Sequence, residues 1–427
     1  MLPALEPGGA GRYRSGMELD WEYAVVGAGP AGASAARELA LRGRRVALFD
    51  WAPRAEKPCG GGVPARGMAR CGALLDGVPR REARTIRVVG PRGDEAEVEL
   101  ASPVAIFARR ELDEALRLQA ERAGARRIGA RVVGLAPARD GFELSMRRSA
   151  QGPIERGRAR YVVAADGAAG TARRRLLELA GFEAPGPDHF SRTFTIYPEL
   201  AAVPVRSGTM ELAWVGGADG YGWTFPRVGH ASIGWCLQGA FRGGDGLRET
   251  LAALMRSGAL SGPAEGAGRG GEPGVGALIP SFRGDAAARS PVEGARFALI
   301  GDAAGAVDPI TREGIHYALA TGAAVGECDP LARPGRYAAW FDAELRPELV
   351  RAAALAPRFF ALRFVTTMVR GLARSSALRD VFGDLVAGCQ GYATLRRRLL
   401  RALPRALPAL SLAMLLRGRS RGSAAER

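Results

Sequence analysis

The chain is poor in lysine, histidine and cysteine. Among its 427 residues, Lys57 is the single lysine, and there are 3 histidines and 5 cysteines. The cysteines are odd in number and widely spaced, with no Cys-x-x-Cys pair: Cys59, Cys71, Cys236, Cys328 and Cys389. This pattern argues against a disulfide framework and against a metal site, and it makes a reducing cytosol the expected compartment.

The chain also lacks a long apolar run. The apolar stretch near the C-terminus, residues 407–416, is about ten residues long, whereas a helix needs roughly 20 to cross a bilayer. Residues 1–20 lack the apolar core of a secretory signal and are rich in Gly, Pro and Arg, so we expect a disordered tail, with Met17 as an alternative start. We therefore expect a protein that lies on a membrane surface rather than one that crosses it.

Acidic residues are too few to balance the basic ones, and the formal net charge is +16. Residues 345–427 alone contain sixteen arginines and four acidic residues. No finger, homeodomain or RNA-recognition signature accompanies them, so nucleic acid is not an expected partner. Residues 395–404 mix leucine and arginine as an interfacial helix does, which favours an anionic membrane surface as partner. A solvated helix that caps the rest of the protein would have the same pattern.

The N-terminal third predicts a parallel sheet. A short β-branched run at residues 23–27, a helical stretch at 31–42 and a second strand at 45–50 form a strand, turn, helix and strand in succession. Short apolar runs at 160–165 and 296–300 are predicted as later strands of the same sheet. A length of 427 residues allows more than one such unit.

A glycine pattern joins the first predicted strand to its helix. The pattern is Gly27-Ala-Gly29-Pro-Ala-Gly32. Its position between a strand and a helix indicates dinucleotide binding. Gly27 permits the tight turn, Gly29 lets the backbone approach a pyrophosphate, and Gly32 lets the helix pack on the strand. Asp50, at the end of the second predicted strand, is placed to hold ribose hydroxyls.

The second half of a cofactor site is predicted far downstream, at another glycine-rich turn and the start of a helix: Gly301, Asp302, Gly305, Pro309, Gly314 and Ile315. The helix is expected to start near Thr311. Its N-terminus would then point at negative charge, for which a reduced flavin is one candidate.

Together with Asp166-Gly167, these motifs resemble the FAD-binding fold of hydroxybenzoate-hydroxylase-like flavoproteins over residues 20–330. The resemblance implies FAD as the cofactor, with Asp166 in its binding site. It also implies that Asp302 binds the ribityl chain and that Arg109 approaches the FAD phosphates.

Three further stretches narrow the resemblance: Lys57-Pro-Cys59-Gly-Gly-Gly-Val63, Gly220-Tyr221-Gly-Trp223-Thr-Phe225-Pro226 and Pro309-Ile-Thr311-Arg-Glu313-Gly314-Ile315. They resemble the geranylgeranyl reductase family, whose members saturate isoprenoid double bonds in chlorophyll precursors, archaeal lipids or menaquinone tails. The resemblance implies a flavin-side loop with Cys59 and Gly61. It also implies a substrate cavity lined by Tyr221, Trp223 and Phe225.

The implied reaction needs a hydride from reduced flavin N5 on one alkene carbon and a proton on the other. Cys59, Tyr221 and His316 are the candidate proton donors, with an ordered water as the fourth. His316 stands where many members of the family carry a tyrosine. Each has a structural alternative: Cys59 as a small filler, His316 as helix packing, and Tyr221 with Trp223 and Phe225 as the core face of a strand.

Two other functions share these motifs. A flavin monooxygenase of an apolar substrate, an epoxidase or a hydroxylase, has the same FAD signature, and the Cys59 loop with residues 221–226 favours the reductase over it. An electron-transfer flavoprotein that serves membrane quinone normally carries iron–sulfur ligands, which this cysteine pattern does not offer. The chain has no second dinucleotide fingerprint, so NADPH, ferredoxin and reduced quinone all stay open as the transient electron donor.

The predicted fold class is α/β: a Rossmann-like FAD-binding domain of ββα layers with an inserted antiparallel substrate sheet and a C-terminal helical region. The FAD-binding domain is assigned to residues 21–75, 105–180 and 290–330. The substrate domain is assigned to 76–104 and 181–289, and the basic helical region to 331–427. We expect a peripheral protein on the cytoplasmic membrane face.

Overall fold

A computed structural model describes residues 20–51, 56–216, 218–239, 245–263, 274–402 and 404. Apart from Asp20, the predicted N-terminal tail lies outside the described residues, as does the apolar run at 407–416. The same holds for residue 403 of the predicted interfacial segment.

The strands, in chain order, are β1 (Trp21–Val26), β2 (Val46–Phe49), β3 (Gly62–Val63), β4 (Arg80–Val89), β5 (Glu95–Phe107), β6 (Arg126–Ile128), β7 (Arg131–Ala138), β8 (Gly141–Arg147), β9 (Glu155–Ala164), β10 (Phe190–Ile196), β11 (Thr209–Ala213), β12 (Gly220–Pro226), β13 (Ala231–Gln238), β14 (Val275–Pro280), β15 (Glu293–Gly294) and β16 (Phe297–Leu299).

The helices are α1 (Pro30–Leu41), α2 (Ala65–Cys71), α3 (Arg109–Arg122), α4 (Thr171–Leu179), α5 (Asp245–Arg256), α6 (Asp285–Arg289), α7 (Ile315–Cys328), α8 (Arg336–Glu344), α9 (Arg346–Phe359), α10 (Leu362–Arg374) and α11 (Ser376–Val386). Residues 392–402 are also helical and are called the C-terminal helix below.

The first sheet has the order β15-β16-β9-β1-β2-β6, and the hairpin β7–β8 extends it from β9. β1 runs parallel to both β2 and β9, and β16 runs parallel to β9. The interior strands are apolar and buried, as parallel strands covered on both faces are. α1 packs against α3 and α7. The predicted strand–helix–strand opening and the two late strands are confirmed.

The second sheet has the order β14-β10-β13-β12-β11-β4-β5-β3. Its neighbours are antiparallel except β4 and β11, which run parallel. One face buries Ile86 and Val98 against α10 and α11, and the other face packs on α5. The predicted fold class is confirmed. β3 pairs with β5 although sequence analysis assigned residues 62–63 to the first domain, and the domain boundaries stay a prediction.

The loop before α7 differs from the prediction. α7 begins at Ile315 rather than near Thr311, because the preceding residues form a tight turn. The Asp308 carboxylate accepts the backbone N–H groups of Ile310 and Thr311 at 2.8 and 2.9 Å. Arg312 then adopts a left-handed backbone with φ of 55°, which a helix cannot continue.

Among the described residues, no single helix is both long and apolar enough to span a bilayer. α9 and α10 meet that criterion only when joined, and their axes differ by 94°.

Candidate functional site

One cavity of about 740 Å³ connects the two sheets. It begins at the turn after β1, follows β12 and β13, and ends at the C-terminal end of α9 and at α11. A volume of this size is typical of a site for a cofactor or drug-sized ligand. The cavity therefore brings the predicted cofactor turn and the predicted substrate residues into one continuous space.

The turn between β1 and α1 lets a ligand approach its backbone closely. Gly27 has a φ of 103°, a conformation that favours glycine. A Cβ on Gly32 would lie 1.8 Å from the carbonyl oxygen of Gly27, so only glycine fits there. Gly29 is the N-cap of α1 and offers no capping side chain. The free N–H groups at this helix N-terminus therefore suit an anion.

Positive side chains surround this helix N-terminus. Lys57 Nζ lies 3.2 Å from the point that a Cβ on Gly29 would occupy, and 3.4 Å from Asp113 Oδ2. Arg109 donates to both oxygens of the buried Asp113, at 2.9 and 3.1 Å. Arg117, also buried, lies 4.0 Å from the same carboxylate. Cations at the positive end of a helix are unfavourable unless an anion joins them, and a pyrophosphate supplies that charge.

Asp50 lies on the cavity wall at the end of β2 and is buried. Its Oδ2 accepts from Arg127 Nη2 at 2.7 Å and lies 3.3 Å from Arg117 Nε. These two arginines hold the carboxylate in place at the position predicted for a ribose ligand.

Asp302 lines the same cavity. Burial raises the pKa of its carboxyl, and the positive charges of Arg109 and Lys57 act against that rise. The backbone N–H of Gly301 donates to Thr321 Oγ1 at 2.9 Å, which fixes the start of this turn on α7.

Asp166 lines the cavity, but its carboxylate already accepts hydrogen bonds from the N-terminus of α4. Its carboxylate accepts the N–H groups of Ala172 and Arg173, at 2.7 and 3.2 Å, and so caps α4. Burial raises the pKa of Asp166 to about 6, although these two hydrogen bonds lower it.

The loop that carries Cys59 bends sharply against β12. Cys59 Sγ accepts the N–H of Gly61 at 3.3 Å, and its carbonyl accepts the Ser232 hydroxyl at 2.8 Å. A Cβ on Gly60 would lie 2.6 Å from the ring of Phe225, so the ring packs directly on the loop backbone. Burial lowers the pKa of Arg109, but Asp113 and Cys59 outweigh it, and the pKa is raised.

Aromatic rings form the far arm of the cavity. Trp223 and Tyr221 are 6.4 Å apart between ring centroids, and Tyr221 and Trp214 are 5.9 Å apart. Trp214 in turn lies 6.3 Å from Phe359 of α9 and 6.4 Å from Phe382 of α11. The hydroxyl of Tyr221 donates to the Thr311 carbonyl. Burial raises the pKa of Tyr221 well above its usual value.

His316 lies on α7 away from the cavity wall, packed against the ring of Tyr317. Its Nδ1 is buried without a hydrogen-bond partner. Burial, together with the positive charges of Arg66 and Arg70, lowers the pKa of His316 to about 3. The imidazole is therefore neutral at physiological pH, and it does not line the cavity.

The structure brings most of the predicted site residues to the cavity wall: Gly27, Gly29, Asp50, Cys59, Gly61, Arg109, Asp166, Tyr221, Trp223, Phe225, Asp302, Gly314 and Ile315. Five predicted residues do not line it: Gly32, Gly301, Gly305, Pro309 and His316.

Sequence reasoning missed several residues of the wall. Lys57 is the single lysine of the sequence, but no local pattern assigns it a role in the cofactor site. Asp113 follows Arg109 by four residues on α3, a spacing that could have revealed the ion pair. Trp214, Phe359 and Phe382 carry no local signal, because only the tertiary fold brings them together.

Both halves of the cavity fit FAD. The turn at residues 27–32 has free helix N–H groups, and Lys57 and Arg109 place positive charge there. Asp302 supplies an acceptor on the cavity wall. Among the described residues, no cluster of His, Cys, Asp or Glu could hold a metal ion.

A family model described as an FAD binding domain matches residues 20–242. A menaquinone reductase from Mycobacterium tuberculosis is 34% identical over 337 residues, which are 72% of this chain and 76% of that protein. A geranylgeranyl diphosphate reductase from Rhodobacter capsulatus is 29% identical over 316 residues, 71% of this chain and 73% of that protein. The chain is an FAD-dependent oxidoreductase of the geranylgeranyl reductase family.

Solved structures show the fold of this family member independently. A geranylgeranyl bacteriochlorophyll reductase-like protein from Thermoplasma acidophilum superposes with a TM-score of 0.72 and 19% identity, over 90% of this chain and 99% of that one. The flavin-dependent brominase Bmp2 gives a TM-score of 0.66 and 16% identity, over 89% and 98%. At such identities these two likenesses establish the fold alone.

Proposed function

We propose that the protein saturates carbon–carbon double bonds of an isoprenoid chain. The observation that carries the proposal is the aromatic arm of the cavity, in which the rings of Tyr221, Trp214 and Phe359 follow one another in the same cavity that includes the cofactor turn. Such a wall suits a long apolar chain. The menaquinone reductase and geranylgeranyl diphosphate reductase relatives support the same class of substrate.

The cofactor would be held by the turn after β1 and the charges around it. Lys57 and Arg109 would bind the pyrophosphate beside the N-terminus of α1, and Asp50 and Asp302 would bind hydroxyl groups on either side. Bound FAD, in its reduced form, supplies a hydride.

Cys59 is the proposed proton donor to the second alkene carbon. Its thiol lies on the cavity wall, between the cofactor turn and the aromatic arm. Tyr221 is a weaker candidate, because its hydroxyl already donates to the Thr311 carbonyl and burial raises its pKa. His316 is a poor one, since it is neutral and does not line the cavity.

Trp223 and Phe225 would exclude water and position the chain. Trp223 Nε1 donates to Ser232 Oγ at 3.2 Å, and the same Ser232 hydroxyl donates to the Cys59 carbonyl. The ring and the Cys59 loop are therefore held in one hydrogen-bonded unit. The π face of such a ring also stabilises positive charge that develops at a tertiary carbon.

The proposed place of work is the cytoplasmic face of a membrane. The substrate class is a membrane lipid, and the C-terminal helix exposes Leu399 and Leu400 among arginines. Apolar and cationic side chains together bind an anionic leaflet.

Expression in a bacterium whose isoprenoid quinone is fully unsaturated tests the proposal. We expect the extracted quinone to gain pairs of hydrogen atoms, measured by mass spectrometry. Cys59→Ala should keep bound FAD and lose most of this gain, about a hundredfold for a missing general acid.

Cys236→Ser is the matched control for that variant. Cys236 also lines the cavity, but burial raises its thiol pKa and its Sγ donates to the Tyr221 carbonyl. We expect it to retain most of the hydrogen gain. An equal loss in both variants would mean that any change in the cavity wall stops the reaction, and would remove Cys59 as proton donor.

A further inference from the structure

The corner between α9 and α10 connects the cavity to the protein surface. Phe359, the last residue of α9, lines the cavity. Leu362 and Phe364, in the first turn of α10, are 39% and 48% exposed. The ring of Phe364 lies 5.6 Å from that of Phe359. A single aromatic layer therefore separates the end of the cavity from solvent.

The rings from Tyr221 to this corner form a continuous apolar series. The centroid distances are 5.9 Å from Tyr221 to Trp214, 6.3 Å from Trp214 to Phe359 and 5.6 Å from Phe359 to Phe364. These spacings are those of aromatic rings in contact. An apolar chain can follow them from the surface inward without leaving apolar surroundings.

The charged side chains of α10 itself are all positive. α10 contains three arginines and no acidic residue. Arg370 pairs with Asp94 at 2.8 Å. Arg358 and Arg363 are exposed, and no carboxylate among the described residues pairs with either of them. Exposed Leu and Phe side chains flanked by unpaired arginines are complementary to the headgroups and acyl boundary of an anionic bilayer.

We propose that the α9–α10 corner inserts into the surface of an anionic membrane and is the port through which the isoprenoid chain passes into the cavity. The second half of this inference rests on the proposed function, which supplies the chain. The first half stands on the exposed apolar side chains and the unpaired arginines of the corner alone.

Sedimentation of the full-length holoprotein with vesicles tests the docking surface. Vesicles contain phosphatidylcholine with one third phosphatidylglycerol, or phosphatidylcholine alone. We expect wild type to sediment with the anionic vesicles, and Leu362→Ser/Phe364→Ser to lower its partition coefficient about tenfold. Arg358→Gln/Arg363→Gln should remove the preference for the anionic composition.

Two control variants locate the contact. Ile154→Ser replaces another exposed apolar side chain, 52% exposed just before β9, and should bind vesicles as wild type does. Leu399→Ser/Leu400→Ser tests the C-terminal helix in the same way. Retained FAD and an unchanged melting temperature show that each variant is folded. The proposal is overturned if wild type does not sediment with the anionic vesicles, or if only the C-terminal helix variant weakens binding.

Turnover in two substrate forms tests the port. One preparation presents an unsaturated isoprenoid quinone in the anionic vesicles, and the other presents it in detergent micelles. We expect the ratio of vesicle to micelle turnover to fall about tenfold in Leu362→Ser/Phe364→Ser. An unchanged ratio would overturn the port. Absence of turnover in both forms, even with wild type, would instead contradict the proposed function, and sedimentation would still decide the docking surface.

Discussion

Lys57 is the residue of the site whose positive charge most clearly calls for a bound anion. Its ammonium group lies at the N-terminus of α1, 3.4 Å from Asp113, which already accepts two hydrogen bonds from Arg109. A buried carboxylate shared by several cations cannot neutralise all of them. The bound pyrophosphate would complete the charge balance.

Lys57→Met should weaken FAD binding about tenfold or more, the effect of one charge-assisted hydrogen bond. Lys57→Arg should retain most of the affinity. Titration of FAD fluorescence into the apoprotein measures both. Because Lys57 is the single lysine, an amine-reactive reagent followed by peptide mass spectrometry also reports on it directly. If bound FAD does not slow the labelling of Lys57, the ammonium group lies away from the phosphates.

His316 should make the protein sensitive to acid. Its pKa is lowered to about 3 in the folded protein, against 6.5 for the free side chain, so the unfolded state binds the extra proton first. Stability is therefore lost as pH falls below about 6.5, by at most about 1.4 kcal/mol per pH unit.

His316→Gln should flatten this dependence. We expect the difference in the free energy of unfolding between the variant and wild type, measured by urea unfolding, to change in favour of the variant from pH 7 to pH 4.5. Asp166 titrates in the same range with the opposite sign, but it is common to both proteins and cancels in the difference. A difference that does not change with pH would show that His316 takes up its proton in the folded state as well.

At the scale of elements, the C-terminal helix is joined to the turn before α7. The hydroxyl of Tyr392 donates to both oxygens of the buried Asp308, at 2.8 and 3.0 Å. The same carboxylate holds the N–H groups of Ile310 and Thr311. Glu348 of α9 accepts the N–H groups of Tyr392 and Ala393 and so caps the helix. Its first residues are thus part of the framework around the cavity.

Tyr392→Phe should cost about 1–3 kcal/mol of stability, because a buried carboxylate loses a donor. Tyr337→Phe is the matched control: its buried hydroxyl donates at 2.9 Å to the Leu299 carbonyl, a neutral acceptor. We expect a smaller decrease in melting temperature for the control. Equal decreases would mean that the Asp308 carboxylate does not depend on Tyr392.

The elements that sequence predicts best are those with a local cause. The turn at Gly27–Gly32 and the adjoining strand and helix follow from glycine spacing and apolar periodicity. The start of α7 does not, because the turn before it depends on Asp308 and on the left-handed backbone of Arg312. Nor does the aromatic arm, since Trp214 and Phe359 meet only through the pairing of β11 and the packing of α9.

At the scale of the whole molecule, the two sheets and the C-terminal helices together form one cavity. The first sheet supplies the cofactor turn, the second sheet supplies Tyr221, Trp223 and Phe225, and the C-terminal helices supply Phe359 and Phe382. The basic C-terminal region was predicted either to lie on a membrane or to cap the protein. Residues of α9 and α11 line the cavity, and both the cap and membrane binding stay predictions.

The central claim is reduction of a double bond, and the most direct test is an anaerobic single turnover. The holoprotein is reduced chemically and mixed without oxygen with geranylgeranyl diphosphate, or with a menaquinol of unsaturated tail, whose headgroup is already reduced and cannot accept the electrons. The reaction is followed by flavin absorbance and product mass. The account predicts that the flavin is reoxidised without oxygen and that one double bond is saturated for each FAD. Flavin that stays reduced until air is admitted, with oxygen then found in the substrate, would contradict it and indicate a monooxygenase.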